Sequence, residues 1–429
     1  MRTLNFWVLP NSKFLTVPDL REVLRDFLRE HPEIKIDIHV KTAGSLWRQL
    51  FSFLKTAQKQ NLPDLIQIPD TWTPILIHLG LLQDLSEIDS GITLERCWAP
   101  LREHCSPQGG AAKGIYSLPW WMELRVLYYR KDVMDRLEVD AQKDLETWAG
   151  LKEVCQKIQK NTRRAGVFYP IANSNSRESV SLQDLAPCVW SAGGELFSRD
   201  NTRSLFQREE CIQGMSEYLQ LLASGWMPLL GKSGLVPKNL FDGFCALQIW
   251  GRFPRTAPQA HHRDHSASLI QNLGVTLIPK VSKQHHSVVS AQHLVLLKNS
   301  LHHEEAYSLL KYLVGSRNQE RYANSIGAFP CTLEGLAGSF SGHSGLERGR
   351  AKSQAHNQED EFREAFLKSA EIAKPLPSLM ILGSLERIFD RTMENLVRAI
   401  LRRNYNEAML RKELIHTAAE ADYILSLYA

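Results

Sequence analysis

HPEIKIDIHV, residues His31 to Val40, decides the architecture. His31-Pro32 stops what precedes it, because proline disfavours a helical residue before it. Ile34, Ile36, Ile38 and Val40 then alternate with polar residues, the period of a half-buried strand. Upstream, Thr16-Val17-Pro18-Asp19 resembles a capping box with proline in the first turn. Leu20, Val23, Leu24, Phe27 and Leu28 follow at helical spacing. Before that helix, Leu4 to Leu9 reads as a buried strand ended by Pro10-Asn11-Ser12. Downstream, Leu46, Leu50, Phe51 and Leu54 mark a second helix, and Leu65, Ile66 and Ile68 a third strand. Strands alternating with helices predict a parallel α/β sheet, whose ligands bind at loops beyond the strand C-termini.

Those loops are Pro10-Asn11-Ser12, Thr42-Ala43-Gly44-Ser45 and Pro69-Asp70-Thr71-Trp72. Asp70 is either a site residue or the N-cap of a helix over 73–79. A second informative stretch is GIYSLPWWMELRVLYYR, Gly114 to Arg130. Its aromatics and alternation predict strand, a break at Pro119, then strand. Trp120, Trp121, Glu123 and Arg125 beside such a break point to a ligand site, since tryptophan is costly to expose and a Glu/Arg pair costly to bury.

Helices are predicted from Trp148, over Asp184 to Trp190 with Ala192-Gly193-Gly194 as a glycine exit, over Ile212 to Leu222, and over Glu304 to Leu313. Strands are predicted at 167–172, 245–250, 275–278 and 290–298. The chain closes on long helices with Leu382, Leu385, Ile388, Phe389, Leu396 and Ile400 as an apolar stripe. Residues 335–358, rich in Gly and Ser, are expected to be a mobile surface loop.

At 429 residues the chain exceeds one ordinary core, so two lobes are expected. Composition is 43% hydrophobic and 23% charged, that of an ordinary globular protein. No run reaches the roughly 18 apolar residues of a membrane-spanning helix, so no membrane insertion is expected. A net charge of +4 gives no nucleic-acid footprint. Seven scattered cysteines without a CxxC pair read as buried thiols. Met1 to Pro10 has no secretory-signal pattern.

GxGxxG, P-loop, HExxH and GxSxG motifs are absent, and no cofactor is expected. His261, His262 and His265, with the pairs His285-His286 and His302-His303, could ligate a metal only with partners that the spacing does not supply, so no metal is expected. Glu123 and Asp70 could serve as a glycosidase pair if their carboxyls came within roughly 5 to 9.5 Å. Against catalysis, aromatics recur at breaks: Trp72, Trp120, Trp121, Trp190, Trp250 and Phe253. Flat rings suit the C–H faces of sugars, and Asp, Glu, Arg and Asn suit their hydroxyls.

In order and spacing, HPEIKIDIHV, PDLIQIPDTW, SLPWWMELRVLYYRKDVM, VWSAGGELF, FDGFCALQIWG, LGVTLIP, SAQHLVLLKNS and RYANSIGAFP resemble the extracellular solute-binding proteins of ABC importers, the class that includes maltose-binding protein. The resemblance implies a type II periplasmic-binding-protein-like fold, two α/β lobes with a ligand cleft between them and three crossings. Lobe 1 would hold 1–118 and 284–326, lobe 2 119–283 and 327–429, with Pro119, Trp120, Pro279 and Pro330 at the hinge. It implies a cleft lined by Pro10, Asn11, Asp70, Thr71, Trp72, Trp121, Glu123, Arg125, Trp190, Gly193, Gly194, Gly251, Arg252, Ser290, Gln292, Met380 and Leu382. In an extended segment over these residues, alternation would turn Trp120 to the hinge and Trp121, Glu123 and Arg125 to the ligand. The function implied is capture of a carbohydrate by a monomeric, non-enzymatic receptor that closes on it and delivers it to ABC permease subunits, in the periplasm or outside the cell. Alternatives are a cytoplasmic ligand sensor on the same fold and a glycosidase. Ser290-Ala291 replaces the family's usual glycine pair, and neither a signal nor a lipoprotein cysteine is present.

Overall fold

The computed structural model describes residues 1–11, 16–55, 62–107, 114–162, 169–172, 180–228, 240, 243–253, 270–339 and 352–428. In chain order the elements begin β1 (Arg2–Val8), α1 (Thr16–Glu30), β2 (Ile34–Val40), α2 (Ala43–Lys55), β3 (Leu65–Pro69), α3 (Thr73–His78) and α4 (Leu85–Ile88). They continue with β4 (Leu118–Leu124), β5 (Val126–Arg130), α5 (Lys131–Arg136), α6 (Ala141–Asp144), α7 (Trp148–Thr162), β6 (Tyr169–Ala172), α8 (Leu182–Ser191), α9 (Glu209–Ala223), β7 (Cys245–Trp250), β8 (Leu273–Thr276) and β9 (Ser287–Leu296). Last come α10 (His303–Val314), α11 (Ser316–Ile326), α12 (Leu333–Gly338), α13 (Lys352–Glu371), β10 (Ala373–Lys374), α14 (Leu382–Leu401) and α15 (Glu407–Ser426). Short 3-10 turns cover Asp70–Trp72 and Ala99–Cys105.

The chain divides into two compact units. Unit 1 comprises residues 1–123, 290–343 and 377–380, and unit 2 residues 124–289, 344–376 and 381–429. The chain therefore changes unit inside β4 and inside β9, a few residues beyond the expected positions 118 and 283. Residues 327–343 and 377–380 fall in unit 1, where lobe 2 was expected. Pro119 and Pro330 lie within unit 1 and Pro279 within unit 2. At both of these passages the chain runs through as an extended strand, and no proline stands at the point of change itself.

In unit 1, β2, β1 and β3 are parallel neighbours, as the alternation predicts, and β9 joins β3 antiparallel with Leu65 opposite Leu296. Both faces of this sheet are covered. β1 sends Leu4, Phe6 and Val8 into one apolar cluster and Trp7 into the other, which Leu9, just past the strand, also joins. On the first face α1 contributes Leu20, Val23, Leu24 and Phe27, and α10 and α11 add Leu309, Leu310, Leu313 and Tyr322. Leu46, Leu50 and Leu76, from α2 and α3, cover the second.

Unit 2 holds the sheet β6-β7-β5-β8, in which only β6 and β7 are parallel. The expectation of a parallel sheet thus holds for β1 to β3 and not here. The two Phe side chains of α13, Phe362 and Phe366, pack against Tyr128 of β5. Helices α8 and α9 approach closely at Gly214, where a Cβ would come within 2.6 Å of the Val189 backbone.

Two local expectations are corrected. The break in the tryptophan stretch falls at Arg125, between β4 and β5, and Pro119 is the second residue of β4. Proline is tolerated at a strand's start, where a missing ladder donor costs least. The loop expected over 335–358 is helical at both ends, in α12 and in the first turns of α13; residues 340–351 lie outside the described ones. The start of α13 is polar, so it has no apolar period, yet Ala, Lys, Gln and Glu are good helix formers that extend the amphipathic half around Phe362 and Phe366.

Candidate functional site

The polar groups of unit 1 converge where β1 and β3 end. Asn11 is buried; its side-chain amide donates to the Tyr322 hydroxyl and its backbone N–H donates to Thr16 Oγ1 at 3.0 Å. Gln67, fully buried in β3, donates from Nε2 to Asn11 Oδ1 at 3.3 Å and to Gln292 Oε1 at 3.0 Å, and its Oε1 accepts from the Leu9 N–H. An amide chain from Asn11 through Gln67 to Gln292 thus ties β1, β3 and β9 together. Buried amides persist only when so bonded.

Asp70 follows directly. Its Oδ1 accepts from the Thr71 N–H at 2.8 Å and its Oδ2 from the Ala291 N–H at 3.0 Å. It is not the helix N-cap, a position held by Trp72 for α3. It staples β9 to the end of β3, beside Ser290 and Gln292, which are both half-buried. Burial raises its pKa, partly offset by His104 and by the two backbone donors. Beneath it, His293 Nδ1 lies 2.9 Å from Ser117 Oγ and 3.4 Å from Thr73 Oγ1. Burial, with His104 nearby, holds His293 well below its usual 6.5.

That depression has a sign. His293 is neutral in the folded protein, so the unfolded chain binds its proton first, and the stability contributed above 6.5 is lost as pH falls through 6.5. The loss from this group grows with each further step of acidification below 6.5 until its depressed folded-state pKa is reached. His293→Gln is expected to flatten the decline of the urea midpoint between pH 7 and 5, whatever its effect at pH 7. Parallel curves for the two proteins would refute the assignment.

Next to these amides stands an aromatic ladder. The Trp72 ring meets Trp47 edge-on at 4.6 Å, and Trp47 meets Phe51 at 4.6 Å. All three are half-buried. Thr71 is half-buried too, and Pro10 is exposed.

Trp120 and Trp121 both belong to the unit 1 core, with 0% and 3% of their surface exposed. Trp120 stacks on Tyr322 at 4.2 Å and 1°. Alternation separates a wet from a dry face only when one face of the strand meets water, and β4 is buried almost throughout. Glu123 is half-buried in the same strand, and Met380 is half-buried in the short return 377–380.

The remaining expected residues belong to unit 2. Arg125 is buried and donates from Nη1 to Asp184 Oδ1 at 2.8 Å and to the Gln183 carbonyl at 3.0 Å. Asp184 Oδ2 in turn accepts from Ser181 N and Oγ, closing the capping box that starts α8. Trp190, buried at the other end of α8, has Lys374 Nζ 5.5 Å from its ring centre. The glycines after it terminate that helix: Gly193 N–H donates to the Trp190 carbonyl and Gly194 N–H to the Val189 carbonyl, with Gly193 at φ 91°. This is a Schellman cap, which needs a residue tolerant of the left-handed region. Gly251 is buried and Arg252 half-buried; their carbonyls accept from Leu124 N–H and from the Tyr128 hydroxyl. Leu382 is fully buried at the start of α14.

The sequence reading missed Gln67 and Trp47. The first had a signal, one amide inside the apolar run Leu65 to Ile68. The second sat on a helix whose apolar spacing already accounted for its neighbours.

His261, His262 and His265, and the first two residues of the motif FDGFCALQIWG, Phe241 and Asp242, lie outside the described residues. His285 and His303 bond backbone carbonyls at 2.8 and 3.0 Å. Among the described residues no group of three or more His, Cys, Asp or Glu is placed to hold a metal ion. No helix among them is long and apolar enough to cross a membrane.

Solved structures share this fold over the whole chain. A solute-binding protein of an ABC transporter from Thermotoga lettingae, bound with α-D-tagatose, superposes with a TM-score of 0.76 at 17% identity, covering 99% of this chain and 100% of that one. MalE3 of T. maritima, bound to maltose, gives 0.75 at 16% with the same coverage. An ABC substrate-binding protein from Listeria monocytogenes in complex with cycloalternan gives 0.75 at 14%, again over 99% and 100%. The sequence profile described as "Bacterial extracellular solute-binding protein" matches residues 16–320. With most of its length matched by that profile and its two-unit α/β fold shared with such receptors, the chain belongs to the bacterial extracellular solute-binding proteins.

Proposed function

We propose that this protein captures a carbohydrate solute and delivers it to the permease of an ABC importer. The observation that carries this reading is the pairing, at the end of β3, of a half-buried aromatic ladder (Trp72, Trp47, Phe51) with a rank of fixed amides and a carboxylate. Aromatic faces hold the C–H side of a sugar ring, and preset polar groups select its hydroxyls. In this reading Trp72, Thr71 and Gln292 meet the ligand, while Gln67 and Asp70 hold them in place. Tagatose, maltose and cycloalternan in the three similar receptors support the same ligand class. Export to the periplasm or cell exterior is part of the proposal, in keeping with the family's description. Capture without chemistry is part of it too.

A thermal-shift panel of monosaccharides, oligosaccharides, polyols and amino acids tests the reading. A ligand at 100 times its Kd adds about 2.7 kcal/mol to the folded state, so at least one carbohydrate is expected to raise Tm by several degrees. Trp72→Ala is expected to weaken that ligand roughly tenfold, about 1.4 kcal/mol, the upper range of what an aromatic contact adds beyond area burial. A shift with amino acids alone, or turnover of the bound sugar, would overturn the proposal.

A further inference from the structure

Along one stripe of α1 the residues Arg21, Leu24, Arg25 and Leu28 face four consecutive residues of β2, 36–39, across a groove of about 570 Å³ within unit 1. Successive side chains of a strand point to opposite faces. A groove that touches four in a row therefore runs along the strand's backbone edge. β2 is the last strand of its sheet, so that edge carries N–H and C=O groups with no strand partner among the described residues. Native proteins usually blunt such an edge, because it is a template for another strand.

The floor is apolar and incompletely covered: Leu24 is buried, while Leu28, Ile36 and Ile38 remain half-buried. On the rim, Arg21 and Arg25 are exposed one helical turn apart. Neither has a carboxylate within ion-pair reach among the described residues, whereas the one acid in the groove, Asp37, is already paired with Lys35 at 2.8 Å. The groove is left with a net positive rim over an aliphatic floor.

We propose that this groove takes an extended segment of a partner protein in which acidic and apolar side chains alternate, adding it as a strand to the edge of β2. A strand added there turns every second side chain onto the aliphatic floor that Leu28, Ile36 and Ile38 leave open. Its intervening side chains, turned away from that floor, lie in the field of a basic rim that favours acids, so alternation of apolar and acidic residues is what the groove selects. The dimensions agree: the helical stripe is about 10 Å long at 1.5 Å per residue, and the facing strand residues span about 10 Å at 3.3 Å each. A second copy of this chain brought edge to edge would set the same basic rim against itself, which leaves a partner of opposite charge.

The test uses the full chain and a fluorescein-labelled hexapeptide of alternating valine and glutamate, read by fluorescence polarisation and by hydrogen exchange of the amides of residues 34–40. Binding with slowed exchange in β2 is expected, with at least tenfold weaker binding for the valine/lysine peptide and for the double variant Arg21→Glu/Arg25→Glu. Two N-methylated isomers of the peptide, blocked on alternate amides, separate strand addition from simple adhesion. One edge of a strand donates only every second N–H, so one isomer should lose at least tenfold and the other keep its affinity. No binding, binding without protection in β2, indifference to the double variant, or equal behaviour of the two isomers would each overturn the proposal. Both arginines are exposed, so a circular-dichroism spectrum matching that of the parent is expected for the double variant; the isomer pair decides the matter if it differs.

Discussion

Arg125→Ala is expected to destabilise unit 2 by about 3–5 kcal/mol, the cost of leaving a buried carboxylate without its partner. Asp184 is the group stranded. Its side chain is fully buried and Arg125 Nη1 lies 2.8 Å from it. The loss should appear as a lower urea midpoint and a Tm drop of several degrees in the absence of any ligand. The double variant Arg125→Met/Asp184→Asn should recover much of it, since removing both charges abolishes the desolvation cost along with the attraction. The cap on α8 would then rest on Ser181 and the asparagine. Had Arg125 served only as a ligand contact, the single variant would bind sugar poorly and unfold like the parent.

Trp120→Ala should cost about as much, roughly 3–5 kcal/mol as for other buried aromatic truncations. The indole has no exposed surface, lies parallel to Tyr322 at 4.2 Å and approaches Phe6 at 6.0 Å. The cavity would open in the middle of the unit 1 core, between β1 and α11. Tyr322 also receives the Asn11 amide, so loosening it reaches the end of β1 where that amide chain begins. The measurement is equilibrium unfolding followed by near-ultraviolet dichroism. A loss below 1 kcal/mol would mean that the stack contributes little and that the segment repacks.

These variants bear on how much could be read beforehand. The three parallel strands and α1 were legible because Ile34 to Val40 and Leu20 to Leu28 obey single, distinct periods, and one-sided or two-sided burial enforces such periods. The family order of motifs was legible for the same reason. The role of Arg125 was not. A guanidinium beside aromatics looks the same in sequence whether its carboxylate is a ligand group or Asp184, fifty-nine positions on. Trp120 and Trp121 show a related limit: alternation assigns sides, but whether the second side is wet depends on what packs there from distant parts of the chain. In the amide chain of Asn11, Gln67 and Gln292, a single hydrogen bond joins residues 225 positions apart. Only the lone Gln67 in an apolar strand hinted at it.

The antiparallel pairing of β3 with β9 has a consequence in time. Leu65 of β3 finds Leu296 as its partner, and Pro69 finds Gln292, so one side of β3 has no mate until the whole first segment of unit 2, residues 124–289, has been synthesised. At about 5–20 residues per second, that interval is on the order of tens of seconds. Throughout it, the strand Leu65–Pro69 is an apolar edge awaiting closure, the kind of intermediate most prone to mispairing. The last residues to complete unit 1, 377–380, arrive later still. The nascent chain therefore cannot finish its first unit until most of its second has been made, and the open edge of β3 persists until β9 emerges to pair with it.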